Sequence, residues 1–268
     1  MTAPRFLSLK EAVSLIPSEA SLSLGGFDIV RAPMALVFEL VRQGGRRVEL
    51  ITAPNPLAMD VLIGAKVACK VTAGFSGFQY QHGFAVGPMW KQAVESHEVD
   101  YREVDVYAIL SGLRASALGL PFLPLTDIDG SELTDPERWT QMEHPFDAKQ
   151  KVTVTRPIRP DFALIHAQAA DRTGNLRIDD PIVDELVAKA STRVIATVET
   201  FTDQVERPSV PFYRVDALVE APRGAWPSAC PGYYPVDEEH LHLYMRMAEG
   251  GRFADYRRQF IDPKEGTS

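Results

Sequence analysis

ASLSLGGFDIVRAPMALVFELVRQGGRRVELIT, residues 20–52, is the stretch that decides the fold. The alternation of serine and leucine in Ala20–Leu24 predicts a strand, and Gly25-Gly26 predicts a tight turn after it. Pro33 predicts the start of a helix. Proline is favoured in the first helical turn, because the N–H group that it lacks would have no hydrogen-bond partner there. Apolar residues at helical spacing then run towards Gly44-Gly45: Met34, Leu36, Val37, Leu40 and Val41. Arg47–Thr52 predicts a second strand, so the stretch predicts a strand–helix–strand unit with parallel strands.

The same alternation recurs along the chain. Apolar periodicity predicts further helices at residues 8–15, 57–63, 89–96, 107–118, 180–190, 237–248 and 253–260. It predicts strands at 69–72, 100–105, 162–167 and 193–198, of which 100–105 is short and charged and is expected at a sheet edge. Alternating strands and helices are typical of an α/β fold with an open, mostly parallel, Rossmann-like sheet. Residues 119–160 predict a long, irregular loop insertion in a single domain that covers residues 1–268.

Composition excludes several classes of function. Apolar residues make up 45% and charged residues 24% of the 268-residue chain, as in soluble globular proteins. A net charge of −8 argues against a general nucleic-acid binder, which needs a basic surface. Because the N-terminal residues lack the apolar segment of a signal peptide and no long apolar run follows, we expect a cytoplasmic protein without membrane insertion.

The sequence offers no recognisable metal motif. Cys69 and Cys230 stand in unrelated contexts, which predicts two reduced thiols. His240 and His242 are two residues apart, whereas two ligands on one helix face are four apart. His166 lies within an apolar strand, and we expect it to be a hydrogen-bonded core histidine. The sequence therefore predicts no metal site.

The turn from Gly25 to Pro33 is the first candidate site. A glycine-rich turn before a helix can direct backbone N–H groups at an anion or a carbonyl oxygen. The alternative is a tight turn without a ligand. Arg31 follows this turn, and its guanidinium could hold a substrate carboxylate in a bidentate manner. The alternative for Arg31 is a surface arginine at the start of a helix.

The same segment resembles the signature of the class I coenzyme A transferase family, Gly-Gly-Phe-x-x-x-Gly-x-Pro. Gly25, Gly26, Phe27 and Pro33 match, and Arg31 stands where the signature has glycine. The Asp-Gly pair usual upstream is missing, so the resemblance is closer to glutaconate-type A (alpha) subunits than to the succinyl or acetate enzymes. Six further segments resemble the family in the same order: 33–44, 60–65 with 74–78, 112–124, 130–133, 171–175 and 220–225.

The resemblance implies an alpha-type chain that moves CoA between an acyl-CoA, such as a dicarboxylyl-CoA, and a carboxylic acid. In the two-subunit members the nucleophilic glutamate belongs to a Ser-Glu-Asn-Gly segment of the B (beta) subunit, and this sequence has no such segment. We therefore expect the partner to be a B subunit, in an A2B2 heterotetramer. CoA is then a substrate, and no bound cofactor is expected. The A chain would supply part of the cleft and N–H groups that polarise the thioester carbonyl.

The resemblance also gives candidate site residues. We expect Gly25, Gly26, Phe27 and Arg31 to bind the substrate or CoA, together with residues of the second unit: Gly74, Phe75, Ser76 and His82. For His82 the alternative is a structural role.

Other members open a carbocyclic ring in steroid breakdown and use a glutamate of the A chain as base. Glu103 is the candidate for that role, although the alignment could equally place it at Val106. The alternative for Glu103 is a solvated strand-edge residue paired with Arg102. Hydrolysis of a CoA ester and a non-catalytic role in acyl-CoA binding therefore remain alternatives to CoA transfer. Another alternative is a single-chain sensor of the sugar-phosphate isomerase-like fold group.

Overall fold

The computed structural model describes residues 4–74, 76–80, 83–126, 128 and 137–262. In these residues the strands are β1 (Arg5–Phe6), β2 (Ser21–Leu24), β3 (Val48–Thr52), β4 (Ala68–Ala73), β5 (Gly77–Tyr80), β6 (Gly83–Val86), β7 (Asp100–Glu103), β8 (Leu123–Leu125), β9 (Trp139–His144), β10 (Asp147–Thr155), β11 (Phe162–Asp171), β12 (Leu176–Arg177), β13 (Arg193–Thr202) and β14 (Ala217–Glu220). The helices are α1 (Leu9–Val13), α2 (Met34–Gln43), α3 (Pro56–Gly64), α4 (Pro88–Glu95), α5 (Val106–Leu118), α6 (Asp184–Ala190), α7 (Glu238–Glu249) and α8 (Phe253–Tyr256). A short 3-10 helix covers Phe212–Arg214, and a π-helical turn, Arg257–Ile261, continues α8.

The main sheet is parallel, as predicted. Its strand order is β1-β14-β13-β11-β2-β3-β4-β7, each neighbouring pair is parallel, and β12 lies antiparallel beside β11. The strand order reverses between β2 and β11. From β2 the chain proceeds through β3 and β4 to the edge strand β7, and from β11 it proceeds through β13 to β14. Ligands of open α/β sheets bind at the carboxyl ends of the strands at such a reversal.

Two hydrophobic cores cover the two faces of this sheet. All ten residues of β11 are buried, as expected for a central strand with both faces covered. Leu164 and Ile165, which are adjacent in β11, belong to different cores, because successive side chains of a strand point to opposite faces. The core of Leu164 includes α2, α3 and α7, and the core of Ile165 includes α5 and α6.

The prediction of an irregular loop over residues 119–160 was wrong. The described part of that segment contains β8, β9 and β10, which form an antiparallel sheet of their own. Most of β9 is exposed and polar, so it lacks the apolar alternation by which a strand is predicted. The β5–β6 hairpin and β14 were also missed, and α6 begins at Asp184 rather than at residue 180.

The edge position predicted for residues 100–105 is confirmed, because β7 ends the sheet next to β4. Within the part of the chain that the structure describes, no helix has the length and apolar character needed to cross a bilayer.

Candidate functional site

The strand reversal opens a crevice at the carboxyl ends of β2 and β11. The two strands pair only as far as Leu24 and Leu164; β11 then continues, while the chain after β2 turns at Gly25-Gly26. Both glycines are required. A Cβ on Gly25 would lie 2.6 Å from Oδ1 of Asp184, and Gly26 has a φ of 74°, which a residue with a side chain rarely adopts.

The backbone of this turn is already hydrogen-bonded within the chain. Gly25 N donates to the Leu164 carbonyl (2.8 Å), and Gly26 N donates to Asp184 Oδ1 (2.8 Å). Phe27 N and Asp28 N donate to the carbonyls of Val30 (2.9 Å) and Pro54 (2.8 Å). The expectation that these N–H groups face an anion therefore does not describe this conformation, since each has an internal acceptor.

Arg31 is fully buried and belongs to an ion-pair cluster rather than to a substrate surface. Its Nη1 and Nη2 donate to the two carboxylate oxygens of Asp184, at 2.9 and 3.0 Å, and Nε donates to Oδ1 of Asp180 at 2.8 Å. The carbonyls of His166 (3.5 Å) and Asp180 (2.6 Å) accept the remaining N–H groups. A guanidinium has five N–H donors, and all five are used here. The structure thus gives Arg31 a structural task, contrary to the role of carboxylate ligand.

His166 and Glu199 form a second buried pair beside this cluster. His166 Nε2 lies 2.8 Å from Glu199 Oε1, and Nδ1 lies 2.8 Å from the Thr197 hydroxyl, which confirms the predicted hydrogen-bonded core histidine. Glu199 also accepts hydrogen bonds from the Tyr234 hydroxyl and from Arg223 N (2.7 Å). Burial opposes ionisation of Glu199, but these donors outweigh it and lower the pKa of the carboxyl. Because the carboxylate only accepts, the network assigns the proton to Nε2.

One group of side chains has the donor atoms of a metal site. Ligand atoms of His166, Glu199 and Cys230 lie within 4.8 Å of one another. Both ring nitrogens of the histidine and both oxygens of the glutamate are occupied by hydrogen bonds. Burial raises the pKa of the Cys230 thiol to about 12. The cluster fits a hydrogen-bonded network better than a metal centre, and the prediction of no metal stays a prediction.

The second group of predicted residues lies at the ends of β4 and β7. Gly74 follows β4, where a Cβ would lie 2.6 Å from the Val104 carbonyl of the neighbouring connection. Ser76 is buried, and its hydroxyl has no hydrogen-bond partner among the described residues. Glu103, the last residue of β7, is exposed and pairs in register with Ala73. Arg102 forms an ion pair with Glu137 (2.8 Å).

Phe75 and His82 lie outside the described residues, and so does segment 130–133 of the family resemblance. The structure therefore brings Gly25, Gly26 and Phe27 to the central crevice and Gly74, Ser76 and Glu103 to the adjoining edge. The Arg31 side chain lies beside the crevice but is buried in ion pairs with Asp180 and Asp184.

Two polar side chains between these groups were missed by the sequence reasoning. Asn55, just after β3, is buried; its Nδ2 donates to the Gly25 carbonyl (2.8 Å), and its Oδ1 has no partner in the described residues. Asp28 is half-buried, and its Oδ1 has no described partner either. Burial raises the pKa of Asp28, and a hydrogen bond from Gln79 N only partly opposes this. In the sequence, the only signal for Asn55 and Asp28 as site residues is that each follows the end of a predicted strand.

Arg223 is the third missed residue. It follows β14, is exposed, and has a φ of 60°, an uncommon conformation for a residue with a side chain. Its N–H is held by Glu199, and its guanidinium carbon lies 5.1 Å from the centroid of the Tyr234 ring. Gly224 next to it packs on the His166 ring, which a Cβ would approach to 2.8 Å. The buried network thus fixes the backbone of an exposed arginine at the carboxyl ends of the strands.

The chain is similar to known proteins along most of its length. The family model for "Coenzyme A transferase" matches residues 6–221. The alpha-type (A) chain of glutaconate CoA-transferase from Acidaminococcus fermentans is 31% identical over 91% of this chain and 83% of its own length. The corresponding A chain of 3-oxoadipate CoA-transferase from Pseudomonas knackmussii is 32% identical over 90% of this chain and 88% of its own length.

Two further relatives differ in activity or in length. The cholesterol ring-cleaving hydrolase IpdA subunit of Rhodococcus jostii is 29% identical over 91% of this chain and 86% of its own length. An uncharacterised protein of Archaeoglobus fulgidus is 32% identical over 93% of this chain, which spans 58% of that protein.

Solved structures give the same picture. A variant of the decarboxylase AibA/AibB superposes with a TM-score of 0.92 at 43% identity, covering 96% of this chain and 98% of that one. The glutaconate coenzyme A-transferase of Acidaminococcus fermentans superposes with a TM-score of 0.89 at 27% identity, covering 97% of this chain and 90% of that one.

Proposed function

We propose that this chain, which belongs to the coenzyme A transferase family, is the A subunit of a heteromeric enzyme that acts on the CoA ester of a dicarboxylic acid. One observation carries this proposal. The chain matches, over nine tenths of its length, A subunits named for transferring CoA to or from glutaconate and 3-oxoadipate. Both acids carry a second carboxylate, which stays free when the first is a thioester.

The first candidate reaction is CoA transfer. A glutamate of the partner B chain attacks the thioester carbonyl, breaks the C–S bond and releases CoA as a thiolate. The thiolate then attacks the glutamyl carbonyl of the resulting anhydride, expels the donor acid as a carboxylate and forms an enzyme thioester. The acceptor carboxylate takes up CoA from this thioester by the same two steps in reverse, which frees the glutamate. The engagement of Glu199 within the chain supports a nucleophile from outside it. Glu199 accepts hydrogen bonds from His166, Tyr234 and Arg223 N, so neither of its oxygens is free to attack.

The second candidate reaction is decarboxylation, which the 43% identity with a decarboxylase favours. A decarboxylase removes a carboxyl group, so its substrate also carries a carboxylate. Ring-opening hydrolysis has weaker support, in the 29% identity with a hydrolase chain. The remaining alternative is a non-catalytic chain that only binds acyl-CoA.

Arg223 is our candidate for binding the free carboxylate, in place of Arg31. It is exposed at the carboxyl ends of the strands, its backbone is fixed by Glu199, and a guanidinium fork suits a carboxylate. We expect Arg223→Ala to lower kcat/KM for a dicarboxylyl-CoA by about tenfold or more, the usual effect of losing a charged hydrogen bond. Activity with a monocarboxylic acyl-CoA should change little. Equal losses for both substrates would contradict the assignment.

The reaction is tested on this chain co-expressed with its B subunit. The complex is incubated with glutaconyl-CoA, with and without acetate, and acetyl-CoA, free CoA and carbon dioxide are followed. Acetyl-CoA that forms only with acetate supports transfer, and carbon dioxide without acetate supports decarboxylation. Free CoA formed without acetate supports hydrolysis of the thioester. No co-purifying partner and no turnover of any CoA ester would contradict the proposal.

A further inference from the structure

A groove of about 620 Å³ lies away from the carboxyl-end crevice, against the β2–β3–β4–β7 half of the main sheet. Ser21, Glu49 and Lys70 are register partners on successive strands, so their side chains point to the same face and form a row on its floor. Glu49 lies between two cations, 3.2 Å from Lys70 and 3.4 Å from Arg138. The acidic residue of the floor is therefore already neutralised.

One wall of the groove is the segment Arg156–Arg159, which lies in the connection between β10 and β11. Ile158 anchors this wall: it is buried, and its N–H donates to the Gly112 carbonyl of α5 (2.8 Å). Arg156 and Arg159 on either side are exposed, and neither forms a salt bridge with a described residue.

Proline restricts the backbone of both arginines. Arg156 precedes Pro157 and Arg159 precedes Pro160, and a residue before proline is confined to extended conformations. The wall is therefore stiff, and holding a ligand there orders little additional backbone.

Charge distinguishes this groove from the rest of the molecule. Among the described residues, its lining contains two carboxylates, Glu49 and Glu137, and five cationic side chains: Lys70, Arg102, Arg138, Arg156 and Arg159. The whole chain has a net charge of −8, so the cations are concentrated here against the overall balance. Planar guanidinium forks match the oxygens of a phosphate, and the volume lies in the range of small-molecule sites.

We propose that this groove is a second binding site, which holds the phosphate groups of a phosphorylated small molecule, with Arg156 and Arg159 as its principal ligands. The phosphates of a CoA ester and those of a free nucleotide share this chemistry. The proposal does not depend on which reaction the crevice performs.

Calorimetry on the complex with the B subunit tests this site, with inorganic pyrophosphate, CoA and dephospho-CoA as ligands. Wild-type protein should bind pyrophosphate, and the double variant Arg156→Ala/Arg159→Ala should bind it about tenfold or more weakly. Raised salt should weaken binding to the wild type. Arg207→Ala is the matched control, because Arg207 is also exposed and also precedes a proline. It should bind as the wild type does.

The CoA measurements identify the source of the phosphate. The groove is assigned to the 3′-phosphate of CoA if two results occur together. The double variant binds CoA more weakly than the wild type does, and the wild type binds dephospho-CoA more weakly than CoA. Pyrophosphate binding that depends on the two arginines, with CoA binding unchanged, assigns it to a separate phosphorylated ligand. Failure of wild-type protein to bind pyrophosphate would overturn the proposal.

Equal affinity of the wild type and the double variant would overturn it as well. Both side chains are exposed, so we expect the double variant to keep the unfolding midpoint of the wild type. If it does not fold, Arg156→Lys/Arg159→Lys keeps the charge but removes the fork, and it should weaken pyrophosphate binding by a smaller factor.

Discussion

Arg31 and Arg223 lie at the same end of the sheet, yet the structure uses them in opposite ways. Arg31 is fully buried, and every N–H of its guanidinium has an acceptor in the chain. Arg223 is exposed; Glu199 accepts its backbone N–H, and its guanidinium lies over the Tyr234 ring without a salt bridge to a described residue. At the centre of the reversal, charged side chains stabilise the turns. At the rim, the same kind of side chain is available to a ligand. The burial of each arginine, rather than its residue type, therefore decides whether its side chain stabilises the fold or can contact a ligand.

The largest difference between the two regions should appear in stability. Arg31→Ala leaves Asp184 buried without its partner, and breaking a buried pair in this way costs about 3–5 kcal/mol. Arg223→Ala removes an exposed side chain and should change the free energy of unfolding by less than about 0.5 kcal/mol. Denaturant unfolding of both variants measures the contrast. A stable Arg31→Ala protein with lost activity would instead return Arg31 to the substrate.

Asp171 gives the next largest effect. It accepts N–H groups of Thr173, Gly174 and Asn175 in its own turn, and also Val205 N. Although burial opposes ionisation, hydrogen bonds from the Asn175 and Thr173 side chains and from the N–H groups of Asn175 and Val205 lower the pKa of Asp171 to about 2. Against the usual value of 3.8, the shift corresponds to about 2–3 kcal/mol.

A lowered carboxyl pKa stabilises the fold above the unfolded-state value, and this contribution is lost as the pH falls towards 2. Asp171→Asn should therefore lose about 2–3 kcal/mol at pH 7 and show a flatter acid dependence of stability. Unfolding curves between pH 2 and 7 for wild type and variant measure it. Parallel curves would show that Asp171 is not the titrating group.

Asp60 should show the opposite pH dependence. It is buried, accepts Trp90 N (2.7 Å) and the Tyr244 hydroxyl, and burial raises its pKa to about 6. A raised carboxyl pKa means that the folded state binds more protons, so stability falls as the pH rises from about 4 to about 6. Asp60→Asn should remove this decline, which is of the order of 1–3 kcal/mol. A decline that persists in Asp60→Asn would exclude Asp60 as its source.

Glu103 should have the smallest effect. Because its side chain is exposed at the sheet edge, Glu103→Gln should change stability by less than about 0.5 kcal/mol. The activity of the Glu103→Gln variant distinguishes two candidate reactions. If the enzyme is a transferase whose nucleophile is on the B subunit, the variant should keep most of its turnover. A ring-opening hydrolase that uses Glu103 as base should lose it by about 100-fold or more.

Much of the fold could be predicted from the sequence. The unit at residues 20–52 and the buried strand β11 carry strong apolar patterns, and Pro33 and Gly44 mark the two ends of the helix in that unit. The sheet formed by β8, β9 and β10 could not be predicted, since its strands are short or largely exposed and are held by backbone pairing.

The candidate site was less accessible to sequence reasoning. Gly25 and Gly26 could be identified as a tight turn after a strand; Gly26 requires glycine for its positive φ, and Gly25 requires it for the close approach of Asp184. The task of Arg31 depends on Asp184, which is 153 residues away in the chain, so no local pattern reveals the pair. Asn55 and Asp28 are single polar residues whose interest comes only from the strand ends beside them.

The claim that this chain contributes a cleft but not the nucleophile is tested most directly by reconstitution. The purified chain is titrated with separately purified B subunit, and turnover of glutaconyl-CoA is measured at each ratio. We predict no turnover by the chain alone and activity that rises with added B subunit until the two are equimolar. Turnover by the chain alone, at a rate that B subunit does not change, would contradict the account.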